Sequence, residues 1–246
     1  VLSTVLIAVA VAGSAVAVCT DLRWRIIPNW LTYPLIAFGI LAHFIAGVLR
    51  SDYWEAASGA AGAALAFVIG YALWAVGGWA GGDVKLFTAY GAIFPLGPPT
   101  ASSAFYPFFL TILFNSMILV VPFTVVYGVI RKLQKKSVLY ETVRITELRE
   151  GMIPAELIYR FGGRIHRISG RFVIRPRGAE ILADPNRAAG LTREQVSALK
   201  KLARRGELEN RIKLKRGVPF GPFLAGGLIT GLAYGDIYWK LLVSIF

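Results

Sequence analysis

The sequence predicts a polytopic α-helical membrane protein, with six transmembrane helices and a small α+β cytoplasmic domain inserted between helices 5 and 6. Three observations carry this reading. The 246 residues are 56% hydrophobic with a mean hydropathy of +0.59, whereas a soluble domain is about 45–50% apolar. Charge-poor apolar runs fill residues 1–130 and return from 217 to the end, each near the roughly 20 residues that cross a bilayer. The net charge of +13 is also confined to one place. Five of the 27 Lys and Arg and five of the 14 Asp and Glu lie outside 131–216, leaving 22 bases against 9 acids inside it. The expected division is a membrane domain over 1–131, a basic cytoplasmic α+β domain over 132–216, and the sixth helix within 217–246.

The first span is read as Leu2–Thr20; it lacks a basic start, so a membrane helix is expected rather than a signal peptide. A polar turn, Asp21-Leu22-Arg23-Trp24-Arg25, follows, and the second span runs from Pro28, a residue tolerated at helix starts, to Leu49. The charged stretch Arg50–Glu55 leads to a third span, Ala56–Val76, whose Gly59, Gly62, Ala63, Ala66 and Gly70 suit close backbone approach. After a glycine-rich loop the fourth span starts at Asp83 and ends near Phe94-Pro95. At 1.5 Å per residue it reaches only about 20 Å, so it is expected to sit among other helices. Gly97-Pro98-Pro99 breaks the chain, the fifth span covers Phe105–Ile130 with a kink at Pro122, and the sixth covers Val218–Leu242 with Trp239 and Lys240 as interfacial anchors.

In the insert, Leu157–Phe161, Arg164–Ile168 and Arg171–Arg175 read as short strands, the first two joined by Gly162-Gly163, a hairpin signal. Thr192 can cap a helix with Gln195 three residues on and Leu191 stapled to Val196; that helix should run to Arg205 and stop at Gly206. Arg211–Lys215 reads as a fourth strand.

Sidedness follows from charge. A +13 insert and the short loop carrying Arg23 and Arg25 each point to the cytoplasm. Counting spans back from residue 131 puts Arg23 on the same side as the insert, so the two indications agree. Asp21, ending the first span, and Asp83, starting the fourth, then face the cytoplasm together. Taken alone, Asp21 reads as a solvated interfacial carboxylate, and Asp83 as an acid favoured by its helix dipole. An ionisable group at membrane depth is nevertheless a functional candidate.

Asp21 is followed by Leu22-Arg23-Trp24-Arg25-Ile26-Ile27-Pro28-Asn29-Trp30-Leu31-Thr32, which resembles the first aspartate box of type IV prepilin peptidases, an Asp followed at a fixed gap by Ile-Pro-Asn-x-Leu-Thr. Gly82-Asp83-Val84-Lys85-Leu86 resembles their second box, Gly-x-Gly-Asp-x-Lys. The short length and late insert resemble the archaeal branch, the prepilin and preflagellin peptidases among the GxGD-type membrane aspartyl proteases. The resemblance covers the membrane part well and the insert loosely. It implies that Asp21 and Asp83 form a catalytic dyad, one carboxylate activating water and the other, protonated, polarising the scissile carbonyl. A coupled pair titrates as a unit, so the base is not assigned to either. Gly81 and Gly82 are expected to let the backbone pass close to the substrate, and Lys85 either supports the carboxylates or snorkels to headgroups. Ala80 stands where the family usually has Gly. The cysteine-rich region of bifunctional bacterial relatives is absent, so N-methylation is not expected.

The resemblance implies pilin- or archaellin-like precursors as partners, cut at the cytoplasmic face just before their hydrophobic helix. No cofactor or metal is expected, since no His-Glu-x-x-His string exists and Cys19 is the only cysteine. Cys19 reads as a buried, inert thiol, and Asn115 as interhelical glue. Pro219-Phe220-Gly221-Pro222 reads as a packing or hinge element, or as a substrate gate. The insert has few aromatics among its bases, so anionic lipid headgroups are expected to meet it rather than nucleic acid. Because precursor leaders are basic, an acidic face of the insert, or another surface, is expected to meet them. A proton-coupled transporter or a membrane-anchored adaptor is the alternative, the two acids then forming a proton relay.

Overall fold

The computed structural model describes residues 2–95, 106–134, 140–169, 174–187, 190–215 and 218–245. The Gly97-Pro98-Pro99 breaker, Phe105, and residues 171–173 of the expected insert strand Arg171–Arg175 lie outside them. The chain forms two compact units, Val1–Tyr127 with Pro219–Phe246, and Gly128–Val218.

In the first unit, α1 (Leu2–Trp24), α2 (Asn29–Arg50), α3 (Tyr53–Ala75) and α5 (Phe108–Leu133) are long and apolar enough to cross a membrane. Two further helices are shorter, α4 (Gly81–Ile93) and α7 (Gly221–Tyr234), and α8 spans Ile237–Ile245. Helix α1 runs four residues past its expected end, because no glycine or proline interrupts it before Pro28. The expected polar turn is therefore mostly helix, closed by Arg25 at φ +58°. Helix α3 starts earlier than expected because Asp52 caps it, its carboxylate accepting the N–H groups of Trp54 and Glu55 at 2.9 and 3.1 Å.

Helix α4 is the hub. Every residue from Val84 to Ile93 is buried except Lys85, and α4 packs against α1, α2, α3 and α7. Too short to span a bilayer alone, it is wrapped by its neighbours, as its length requires. Small residues make the wrapping possible. A Cβ on Gly91 would collide with the Gly62 carbonyl, and one on Gly62 with the Gly91 carbonyl, so α3 and α4 cross backbone to backbone. Ser14 and the Tyr90 hydroxyl share a 2.7 Å hydrogen bond that joins α1 to α4 in the interior. At the far end of α4, His43 Nε2 lies 3.1 Å from the Ile93 carbonyl while Nδ1 lies 2.8 Å from Glu55 Oε1.

The expected sixth span is not one helix. It breaks between α7 and α8 at Gly235, φ +75°, and Asp236. The buried Asp236 carboxylate caps α8 by accepting the Trp239 N–H at 2.8 Å, and also accepts the hydroxyls of Tyr106 at 2.5 Å and Thr111 at 2.8 Å. Asn115 on α5 holds the break from the other side, donating to the Gly235 carbonyl at 3.0 Å and accepting the Ile237 N–H at 3.1 Å. Its reading as interhelical glue matches this geometry. Five polar groups are satisfied here within an apolar surround, which is what makes an interrupted helix tolerable.

The second unit carries β1 (Tyr140–Val143), β2 (Glu156–Phe161), β3 (Arg164–Ser169), β4 (Glu180–Ala183), α6 (Arg193–Arg204) and β5 (Ile212–Lys215). Strands β3-β2-β4 form one antiparallel sheet and β1-β5 a second. Gly162 and Gly163 turn the β2-β3 hairpin at φ +57° and +78°. Thr192 and Gln195 form the expected capping box. Strands β1 and β4, four residues each, are not among the strands expected from the sequence. Ile145, Leu148, Ile158, Leu182, Leu199 and Ile212 are among its core residues. Among its acids, Glu150, Glu156, Glu180, Asp184, Glu207 and Glu209 each pair with an arginine.

Candidate active site

Two backbone arrangements hold the aspartates. Asp21 sits in the last turn of α1, its carbonyl accepting the Arg25 N–H at 2.9 Å. The chain then runs through Ile26 and Ile27, and Pro28 starts α2 with extended backbone, φ −76° and ψ 149°. A proline disfavours helical geometry at the residue before it, so α1 cannot continue into α2. Asp83 sits in the first turn of α4, and its carboxylate accepts the N–H of Ala80, the residue capping the helix, at 3.0 Å. This is one half of a capping box; the Ala80 methyl has no oxygen to supply the other.

Both carboxylates are buried, Asp21 at 6% exposure and Asp83 at 5%. Asp21 Oδ2 accepts the N–H of Gly221 at 3.0 Å. Gly221 is the first residue of α7, so the unpaired N–H groups and positive dipole end of α7 point at this acid. Ile27 lies between the two sites. Its Cβ would be 3.0 Å from a Cβ on Gly82, next to Asp83, and its Cδ1 3.3 Å from one on Gly221. The two boxes are therefore folded onto each other at Ile27 and Gly82.

An aromatic pair joins the segments carrying these donors. Trp79, just before Ala80, lies 5.2 Å from Phe220, just before Gly221, and edge-on to Phe87 at 5.2 Å. The contact links the loop before α4 to the start of α7.

Not every residue expected at the site reaches the carboxylates. Gly82 is in close contact with Ile27, whereas Gly81 is exposed and a Cβ there would meet nothing within 4 Å. Lys85 turns away: its ammonium donates to Asn29 Oδ1 at 2.7 Å and lies 5.3 Å from the Tyr33 ring centre. Residues two apart on a helix diverge by about 200°, so Asp83 and Lys85 leave opposite sides of α4. Cys19 is exposed on α1 rather than buried as expected. Among the described residues no three of His, Cys, Asp and Glu gather as a metal site would require.

Sequence reasoning gave no role here to Gly221 or Trp79, and it quoted Ile27 and Asn29 only as letters of the first box. The Pro219-Phe220-Gly221-Pro222 string was a visible signal, since it flanks a helix start with two prolines, but nothing in it names Asp21 as its target.

Residues 8–125, which contain both boxes, match the type IV leader peptidase family. Residues 115–214 match the archaeal peptidase A24 C-terminal domain. The prepilin peptidase EppA of Methanothermobacter thermautotrophicus is 25% identical over 350 aligned positions, which cover 89% of this chain and 91% of that protein. With its two aspartate boxes folded against each other and its C-terminal segment matched as well, the chain belongs to the type IV leader peptidase family in its archaeal form.

Proposed function

We propose that this protein is a membrane aspartyl endopeptidase that removes the short basic leader from pilin- or archaellin-like precursors, with Asp21 and Asp83 as its dyad. The observation that carries this is the meeting of the two boxes: each presents one buried carboxylate held by one backbone N–H, with Ile27 packed between. Such a pair can take and return a proton. One carboxylate draws it from the attacking water, and the other donates to the oxygen of the scissile carbonyl as the tetrahedral carbon forms. The Gly221 N–H fixes the direction in which Asp21 presents its second oxygen. The Ala80 N–H does the same for Asp83.

The charge distribution supports cleavage at the cytoplasmic face, with residues 132–216 on that side as a domain of their own. Contact of its bases with anionic headgroups is worth about 1 kcal/mol for each basic residue near the surface. The substrate class is carried by the family match and by the name of the relative.

The test is cleavage of a co-expressed pilin-like precursor by Asp21→Asn and Asp83→Asn. Each change keeps the shape and one acceptor oxygen for the backbone N–H but removes the proton transfer. Each should lower cleavage by about a thousandfold or more, the scale of losing a principal acid or base, with the protein still folded in the membrane. Retained cleavage in either variant overturns the dyad and favours a proton-relay or adaptor role.

A further inference from the structure

Lys85 is a cation two residues from Asp83, yet among the described residues it enters no ion pair. Its partners are the Asn29 side-chain oxygen and the face of Tyr33, both at the start of α2. Asn29 lies two residues after Ile27, and Lys85 three after Gly82. The segment 27–29 thus meets the first turn of α4 at two points, Ile27 on Gly82 and Asn29 on Lys85. The first contact is apolar and can slide. The second is a charge-assisted hydrogen bond with a defined direction, reinforced by the ring face of Tyr33.

The chain between Asp21 and Asn29 is short and only partly helical, so whatever fixes Asn29 fixes the near end of α1 as well. We infer that Asn29 and Lys85 form a clamp that sets the separation of Asp21 and Asp83, acting as positioning residues rather than as groups that touch the substrate. The inference rests on the peptidase reading above. Its chemistry explains the residue types. Asn29 presents a side-chain oxygen that accepts from the ammonium, and Tyr33 an electron-rich ring face beside it. A misplacement of about 1 Å at reacting groups costs on the order of a hundredfold in rate, so a loosened clamp should register in turnover.

The experiment uses the purified full chain in lipid vesicles and a fluorogenic peptide carrying a pilin-like leader and its cleavage site. Lys85→Met and Asn29→Ala should each lower kcat at least tenfold while KM changes less than twofold. The double variant should be no slower than the slower single, because both remove the same bond. Asn29→Asp, which keeps an acceptor of the same length, should retain kcat within about fivefold of the parent. The clamp is overturned if the losses multiply in the double variant, if the loss resides in KM, which would make Lys85 a substrate contact, or if either single turns over at the parent rate.

Thermal unfolding of the same four proteins reads the bond without catalysis. Tm losses that fail to add in the double variant support a direct pair, and additive losses refute it. If Asp21→Asn or Asp83→Asn keeps cleaving, the dyad reading fails by itself, and the unfolding cycle still judges the clamp.

Discussion

A methyl group at Gly221 would stand 2.8 Å from Asp21 Oδ2 and 3.3 Å from both Asp21 Cβ and Ile27 Cδ1. Ordinary contact begins at 3.4 Å, so in Gly221→Ala the carboxylate and the start of α7 must separate by about 0.6 Å, overpacking that costs about 1–3 kcal/mol. The 3.0 Å bond from the Gly221 N–H would then stretch to about 3.6 Å, where it no longer counts as a hydrogen bond. A hydrogen bond to a charged group contributes about 1.5–3 kcal/mol, and each 1.36 kcal/mol is tenfold in rate. If that orientation is needed in the transition state, kcat falls roughly 10- to 100-fold. Folding should survive, because alanine is favoured over glycine in a helix by up to about 1 kcal/mol. Gly226→Ala is the control on the same helix. Its methyl meets only Leu119 Cδ1, at 2.9 Å, the end of a side chain that can rotate away, so turnover should change less than threefold, the scale of a minor surface adjustment. The assay is steady-state cleavage of the fluorogenic leader peptide, with intrinsic fluorescence melting as the folding check. Parent-level kcat in Gly221→Ala, or equal losses in both variants, refutes the view that α7 orients Asp21.

Three other outcomes follow from the packing. With Cys19 replaced by serine, cysteines at Ile27 and Gly82 should form a disulfide under mild oxidation, because their Cβ positions lie 3.0 Å apart and an outward shift of about 0.5 Å brings them to the roughly 3.5 Å lower end of disulfide geometry; two thiols that still take a maleimide after oxidation would mean the boxes do not meet. Gly91→Ala, whose methyl would press on the Gly62 carbonyl and lie 2.5 Å from Ala66 Cβ, should lose about 3 kcal/mol or more of stability. Gly128→Ala meets nothing within 4 Å, and an equal fall in its Tm would contradict the backbone crossing of α3 and α4. His43→Ala strands the Ile93 carbonyl and the Glu55 carboxylate that its ring engages, and should lower stability by about 1–3 kcal/mol; an unchanged melting curve would show that the distal end of α4 is held by other contacts.

Several of these features were legible from residue order because they are local. An apolar run of membrane length, a Gly-Gly turn, a Thr-x-x-Gln helix start and a block of basic charge each declare themselves within a few residues. The length of α4 alone required that neighbours cover it, and they do. The helix starts at Asn29 and Tyr53 were within reach of the same rules, and the early start of α3 follows from reading Asp52 as a cap. The break at Gly235-Asp236 carried a local mark too, a glycine beside a carboxylate in an apolar run. Only the fold supplies Tyr106, Thr111 and Asn115 to satisfy it.

By itself the sequence determined the membrane class, the apolar segments, the two aspartate boxes and the place of the charge. Those properties depend on neighbours in the chain and on transfer from water to lipid. Only the tertiary structure decided what holds each carboxylate. The bond from Gly221 to Asp21 joins residues 200 apart, the Trp79–Phe220 contact links two different loops, and Lys85 leaves α4 toward α2 instead of toward Asp83. Side-chain direction on a packed helix is set by which neighbouring helices leave room for it. The glycines at the crossing of α3 and α4 obey the same rule, since the partner each one meets is set only once the helices are in place.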